Sequence, residues 1–178
     1  MNYTSVEEII LLTKAFEERT LPKDEWTHAA LMIVGLVYCC RYPLDKARIL
    51  LGEGVYWLNV AHGTPNNESS GYHETLTVFW LKFIWRFLER HGRGEDLAIL
   101  ADDLIVLFSD PKLPFKFYSR EVLFSPKARE SYVKPDLRGV LADEKLASYS
   151  PQNKTDSFNF SFLNVPACAG GYTAVSFS

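Results

Sequence analysis

Apolar residues recur at helical spacing through most of this chain. Val6, Ile9, Ile10, Thr13 and Phe16 share one helical face. Ser5 and Glu8 ahead of them have capping-box spacing, so a first helix is predicted from Ser5 to about Glu18. Leu21-Pro22 breaks it. Asp24 and Glu25 suit the positive first turn of a second helix, predicted to run to about Cys40 and stop before Tyr42-Pro43. Leu44 to His62 gives a third helix. Gly52 and Gly54 weaken it unless they admit a close neighbour. Tyr72 to His91 forms a fourth, rich in aromatic residues, ended by Gly92 and Gly94. Glu95 to about Ser109 forms a fifth, stopped by Asp110-Pro111.

The periodicity then fragments. Ser125-Pro126 has the form of an N-cap and first turn, opening a short helix over Lys127 to Val133. From about residue 148 the character changes to Ser, Asn, Phe and Gly. Phe158, Phe160 and Phe162 alternate with polar residues, as do Thr173, Val175 and Phe177 after Gly170-Gly171. This pattern predicts a tail that either docks as a hairpin or stays disordered. The expected architecture is all-α: one bundle of about five main helices over residues 1–147, with short C-terminal helices and the atypical tail at 148–178.

Composition narrows the function classes. The chain has 178 residues, 47% of them hydrophobic and 14% aromatic, enough for one domain with a sizeable core. A formal net charge of -3 argues against nucleic acid, whose recognition needs clustered Lys and Arg. The longest apolar run, Ala29 to Cys40, is shorter than the ~20 residues of a membrane span. The beginning MNYTSVEEII lacks the basic start of a secretory signal, which makes the four Asn-x-Ser/Thr triplets chance matches. Cys39, Cys40 and Cys168 are an odd number with an adjacent pair, which suits buried thiols in a reducing cytoplasm better than a disulfide framework. No partner is implied by these counts beyond a small-molecule ligand, and a homo-oligomer stays open.

The stretch HGTPNNESSGYHET, residues 62–75, carries the candidate chemistry. Short connections make neighbouring helices antiparallel. The start of the second helix, the end of the third and the start of the fourth then meet at one end of the bundle. His28, His62 and His73 lie at those three places. Glu25 and His28 have the i, i+3 spacing of carboxylate-bridged metal proteins. Glu74 follows His73 directly and Thr77 follows it by one turn, while Trp26, Tyr56, Trp57 and Tyr72 supply aromatic surface. The predicted pocket is therefore His28, His62, His73, Glu25, Glu74, Tyr72 and Thr77. His28 and His73 are its candidate ligands for one divalent metal ion, with an open position for water. A purely structural reading competes: the imidazoles satisfy buried backbone groups or loop carbonyls. A second function class also competes, a non-catalytic interaction or scaffold protein using an apolar bundle face or the aromatic tail.

Weaker candidates are set beside these. The chain has no Gly-x-Gly-x-x-Gly, no phosphate-binding loop and no His-Glu-x-x-His. Lys112, Lys116 and Arg120, interleaved with Phe115, Phe117 and Tyr118, form either an anion site or a basic strip over packed aromatics. Asp102-Asp103 suits a solvated helix face.

Glu25-Trp26-Thr27-His28-Ala29-Ala30, Gly63-Thr64-Pro65-Asn66, Gly71-Tyr72-His73-Glu74-Thr75, Ser125 to Arg129 and Pro135-Asp136-Leu137 together resemble a family of uncharacterised bacterial helical proteins. The resemblance covers about residues 20 to 140 and implies an all-helical fold with no assigned activity. It also implies a second histidine three places after His28, a position held here by Leu31.

Overall fold

A computed structural model describes residues 5–94 and 96–137. The tail from 148, with its two alternating segments and Cys168, lies outside the described residues. Among the described residues the protein is an all-helical bundle without strands. It comprises α1 (Val6–Glu17), α2 (His28–Arg41), α3 (Leu44–Ala61), α4 (Glu74–His91) and α5 (Leu97–Leu107), then a 3-10 turn (Leu113–Lys116), α6 (Arg120–Leu123) and α7 (Pro126–Glu130).

The helices start where side chains can replace missing backbone partners. Ser5 and Glu8 close the capping box of α1 through reciprocal 3.2 Å bonds. Thr27, Asp96, Ser119 and Ser125 cap α2, α5, α6 and α7 with their own side-chain oxygens. Three predicted starts move. The fifth helix begins at Leu97 and not at Glu95, because Asp96 is its N-cap. The second helix begins at His28 and not at Asp24, because Thr27 is extended and accepts the amide of Ala30. Residues 23–25 belong to a turn, with the Glu25 amide donating to the Pro22 carbonyl. Glu25 and His28 therefore do not share a helix face. The fourth helix begins at Glu74 and not at Tyr72, because His73 is its extended N-cap.

The centre of the molecule is α2, buried at Ala30 and continuously from Met32 to Cys39, with α1, α3, α4 and α5 packed around it. This explains an apolar run too short to span a membrane: no described helix is long and apolar enough to cross one. Gly35 lets α4 approach, since a Cβ there would lie 2.7 Å from the Ile84 methyl. A second layer of core is aromatic. Phe79 and Phe83 of α4 meet Phe117 edge-on at 5.3 and 5.5 Å between ring centroids, and Phe108 meets Phe83 at 5.3 Å. These rings draw the segment after α5 back across α4 and so bring α6 and α7 over the start of α4.

Candidate functional site

Each histidine of the predicted cluster donates its Nε2 proton to a different backbone carbonyl. His28 donates to Phe108 at 2.9 Å, His62 to Leu21 at 2.7 Å and His73 to Leu123 at 2.9 Å. A carbonyl can only accept, so the proton position follows from chemistry. His28 also packs on Trp80, with centroids 4.6 Å apart. His73 is committed at both nitrogens, because its Nδ1 accepts the Leu76 amide at 3.4 Å and caps α4. Burial holds its imidazole below the ordinary range, and the charge of Arg129 adds to that, while its bond to the Leu123 carbonyl acts the other way. Topology does deliver the three imidazoles to chain junctions, but each one ties a helix end to a neighbouring segment.

Among the described residues no group of three or more His, Cys, Asp or Glu side chains could hold a metal ion. A divalent ion on His28 and His73 would take His73 out of its helix cap. Cys39 is buried, with burial pushing its thiol up to about 12, and Cys40 rises to about 11 for the same first reason. Neither thiol is a nucleophile at neutral pH. Of the other predicted pocket residues, Thr77 is buried and donates to the His73 carbonyl at 3.1 Å.

The loop from 62 to 73 is built as a splint. Gly63 and Gly71 have positive φ, 65° and 77°. The Asn66 carbonyl oxygen accepts the Asn59 side-chain amide at 3.0 Å and the Tyr72 backbone amide at 2.8 Å, and its Nδ2 donates to the Tyr56 carbonyl at 3.0 Å. Arg129 of α7 clasps the loop from outside, donating to the carbonyls of Glu68, Gly71 and Tyr72. The Gly-Thr-Pro-Asn, Gly-Tyr-His-Glu and Ser-Pro-x-Ala-Arg motifs thus form one structural unit, whose product is a fixed Tyr72 and Glu74.

Those two residues line an open cleft of about 510 Å³ between α3 and the start of α4. The other lining residues are Arg48, Ile49, Gly52, Glu53, Tyr56 and Trp57. Glu74 is 8% exposed and accepts Arg48 Nε at 2.5 Å and the Tyr72 hydroxyl on its other oxygen. A buried carboxylate needs such partners to stay ionised. Burial first, then the bond to Glu74, pushes the Tyr72 phenol well above its usual range, so it stays a donor. Gly52 makes room for that phenol: a Cβ at this position would sit 2.7 Å from the Tyr72 hydroxyl. Above the polar floor, Ile49, Tyr56 and Trp57 are 59%, 42% and 45% exposed.

Of the predicted pocket, the cleft gathers Tyr72 and Glu74; His28, His62, His73, Glu25 and Thr77 are not among its lining residues. Tyr56 and Trp57, expected to surround the histidines, form its wall. Arg48, Ile49, Gly52 and Glu53 were missed by the sequence reading. A signal for them existed: α3 carries apolar residues on two faces, Ala47, Leu51 and Leu58 inward, with Ile49, Tyr56 and Val60 on the opposite side. An amphipathic helix needs only one apolar stripe.

The basic strip resolves into packing. Phe117 and Tyr118 are buried, and the Arg120 guanidinium lies over Phe115 and Phe124 at 5.3 and 5.4 Å. Comparison with protein-family models, curated proteins and solved structures returns no match.

Proposed function

We propose that this protein binds a small organic molecule in the α3–α4 cleft. The observation that carries the reading is the combination of a pre-formed polar floor with an uncovered aromatic wall. Arg48 and Tyr72 each bond one oxygen of the Glu74 carboxylate, so the floor is organised before any ligand arrives. Tyr56 and Trp57, edge-on at 5.4 Å, leave large apolar surface facing solvent beside it. Ligand sites typically combine apolar walls with a few fixed polar groups. His73 supports this reading indirectly, by capping the helix that begins at Glu74, and no metal ion is part of it.

The test is a fragment screen followed by amide chemical-shift mapping. Binding in the cleft should perturb Gly52, Tyr56, Trp57 and Tyr72 together, and Trp57→Ala should remove the effect. Perturbations confined to other surfaces, or none across a diverse set, would refute it. A second reading, an interaction protein, is favoured by a specific observation: the exposed side of α3 carries the large apolar residues Ile49, Tyr56, Trp57 and Val60 around Glu53. Sedimentation velocity separates the two. Concentration-dependent assembly abolished by Trp57→Glu supports this face as an interface.

A further inference from the structure

We propose that the cleft selects a small organic ammonium ion. This rests on the reading of the cleft as a ligand site and names the charge of its ligand. Three lining side chains are charged, Arg48, Glu53 and Glu74. Arg48 and Glu74 neutralise each other through a direct ion pair, with Tyr72 donating to the same carboxylate. Glu53 is left as the uncompensated charge, exposed and without a hydrogen bond or ion pair among the described residues. On α3 it stands three and four residues before Tyr56 and Trp57, so carboxylate and rings share one helix face.

Aromatic faces beside a carboxylate attract an alkylated ammonium, through the ring quadrupole and the net negative charge together. The Trp57 ring already accepts one cation, the Arg19 guanidinium, 5.5 Å from its centroid. An anionic ligand meets the opposite situation. It meets two carboxylates, Glu53 and Glu74, in the same lining, and the Nε of Arg48 is already engaged by Glu74 at 2.5 Å. A cation leaves the Arg48–Glu74–Tyr72 bonds intact and competes only with the Arg19 contact at Trp57.

Three probes of nearly equal shape isolate the charge: tetramethylammonium chloride, tert-butanol and sodium pivalate. Each is titrated into the full chain while the Trp57 indole resonance is followed, assigned by Trp57→Phe. Tetramethylammonium should bind saturably, about three- to five-fold tighter than tert-butanol, with pivalate weakest. Glu53→Gln should remove that preference while leaving tert-butanol binding unchanged. Glu53 is exposed, so the variant keeps its fold, and an unchanged amide spectrum verifies this. Phosphatidylcholine vesicles at equal headgroup concentration distinguish the sources of the same chemistry. Co-sedimentation assigns a lipid headgroup, and its absence a free ion. If pivalate or tert-butanol binds the cleft as tightly as the cation, the charge inference falls and the ligand cleft stands. If none of the three moves the indole resonance, while other fragments do bind the cleft, the charge inference falls alone. If nothing binds there, both fall.

Discussion

Gly52→Ala changes a single methyl group, and its effect on stability should reverse sign with the residue at position 72. In an ordinary helix interior, replacing Gly by Ala stabilises by about 1 kcal/mol, because the backbone loses less freedom on folding. In α3 the new Cβ would stand 2.7 Å from the Tyr72 hydroxyl and 3.2 Å from Cζ. The ring cannot retreat with its backbone. The Tyr72 amide is held by Asn66 at 2.8 Å and its carbonyl by Arg129 at 3.0 Å. It must rotate, and rotation takes the phenol from the Glu74 carboxylate. A hydrogen bond to a charged group contributes roughly 1.5–3 kcal/mol. Set against the propensity gain, the single variant should be destabilised by about 0.5–2 kcal/mol. Tyr72→Phe alone should cost about 1.5–3 kcal/mol for the same lost bond. With the hydroxyl gone, the closest contact disappears, and Gly52→Ala should then stabilise by about 0.5–1 kcal/mol. Urea unfolding of the four proteins, compared at constant m, gives the cycle. Gly52→Ala stabilising in both backgrounds would show that Tyr72 is not pinned, and the organised floor of the cleft would be lost with it.

The remaining predictions concern the splint, acid and thiols. His73 is held neutral below its ordinary value of 6.5, so the unfolded chain takes up a proton that the folded chain refuses. Its contribution is complete above pH 6.5 and is lost as pH falls from there toward the folded value, at up to about 1.4 kcal/mol per pH unit. His73→Gln should flatten that part of the stability–pH curve, and an unchanged slope would count against the cap. Asn66→Ala removes three hydrogen bonds and should cost about 2–3 kcal/mol by chemical denaturation. A loss under 0.5 kcal/mol, the usual scale of a surface change, would mean that the loop is not splinted. Cys39 and Cys40, with thiols raised to about 12 and about 11, should resist a thiol-specific disulfide reagent at pH 8 until the protein is unfolded. Rapid native labelling would contradict the burial of Cys39 and the raised thiol of the half-buried Cys40.

Much of the helical layout was legible because its causes are local. The Ser5–Glu8 capping box, the Pro43 boundary and the Gly92 stop each act within a few residues. The misplaced starts at Asp24 and Tyr72 show where local rules ran out. Thr27 and His73 cap their helices in extended conformations that acidic first-turn statistics do not foresee. The placement of His28, His62 and His73 at or beside helix ends was also legible from the helix pattern. What each imidazole would touch was not. Phe108, Leu21 and Leu123 are 80, 41 and 50 residues from their partners.

By itself, then, the sequence determined an all-helical chain, most of its helix boundaries, its apolar central helix and the motifs at the bundle end. Apolar period and capping chemistry act over one or two turns, so they can be read without a fold. Only the tertiary structure decided that the histidines bind carbonyls and that Glu74 meets Arg48. Only it placed the open cleft on the outer side of α3. Hydrogen bonds form at contact distance, and which carbonyl or guanidinium stands there depends on how distant helices pack.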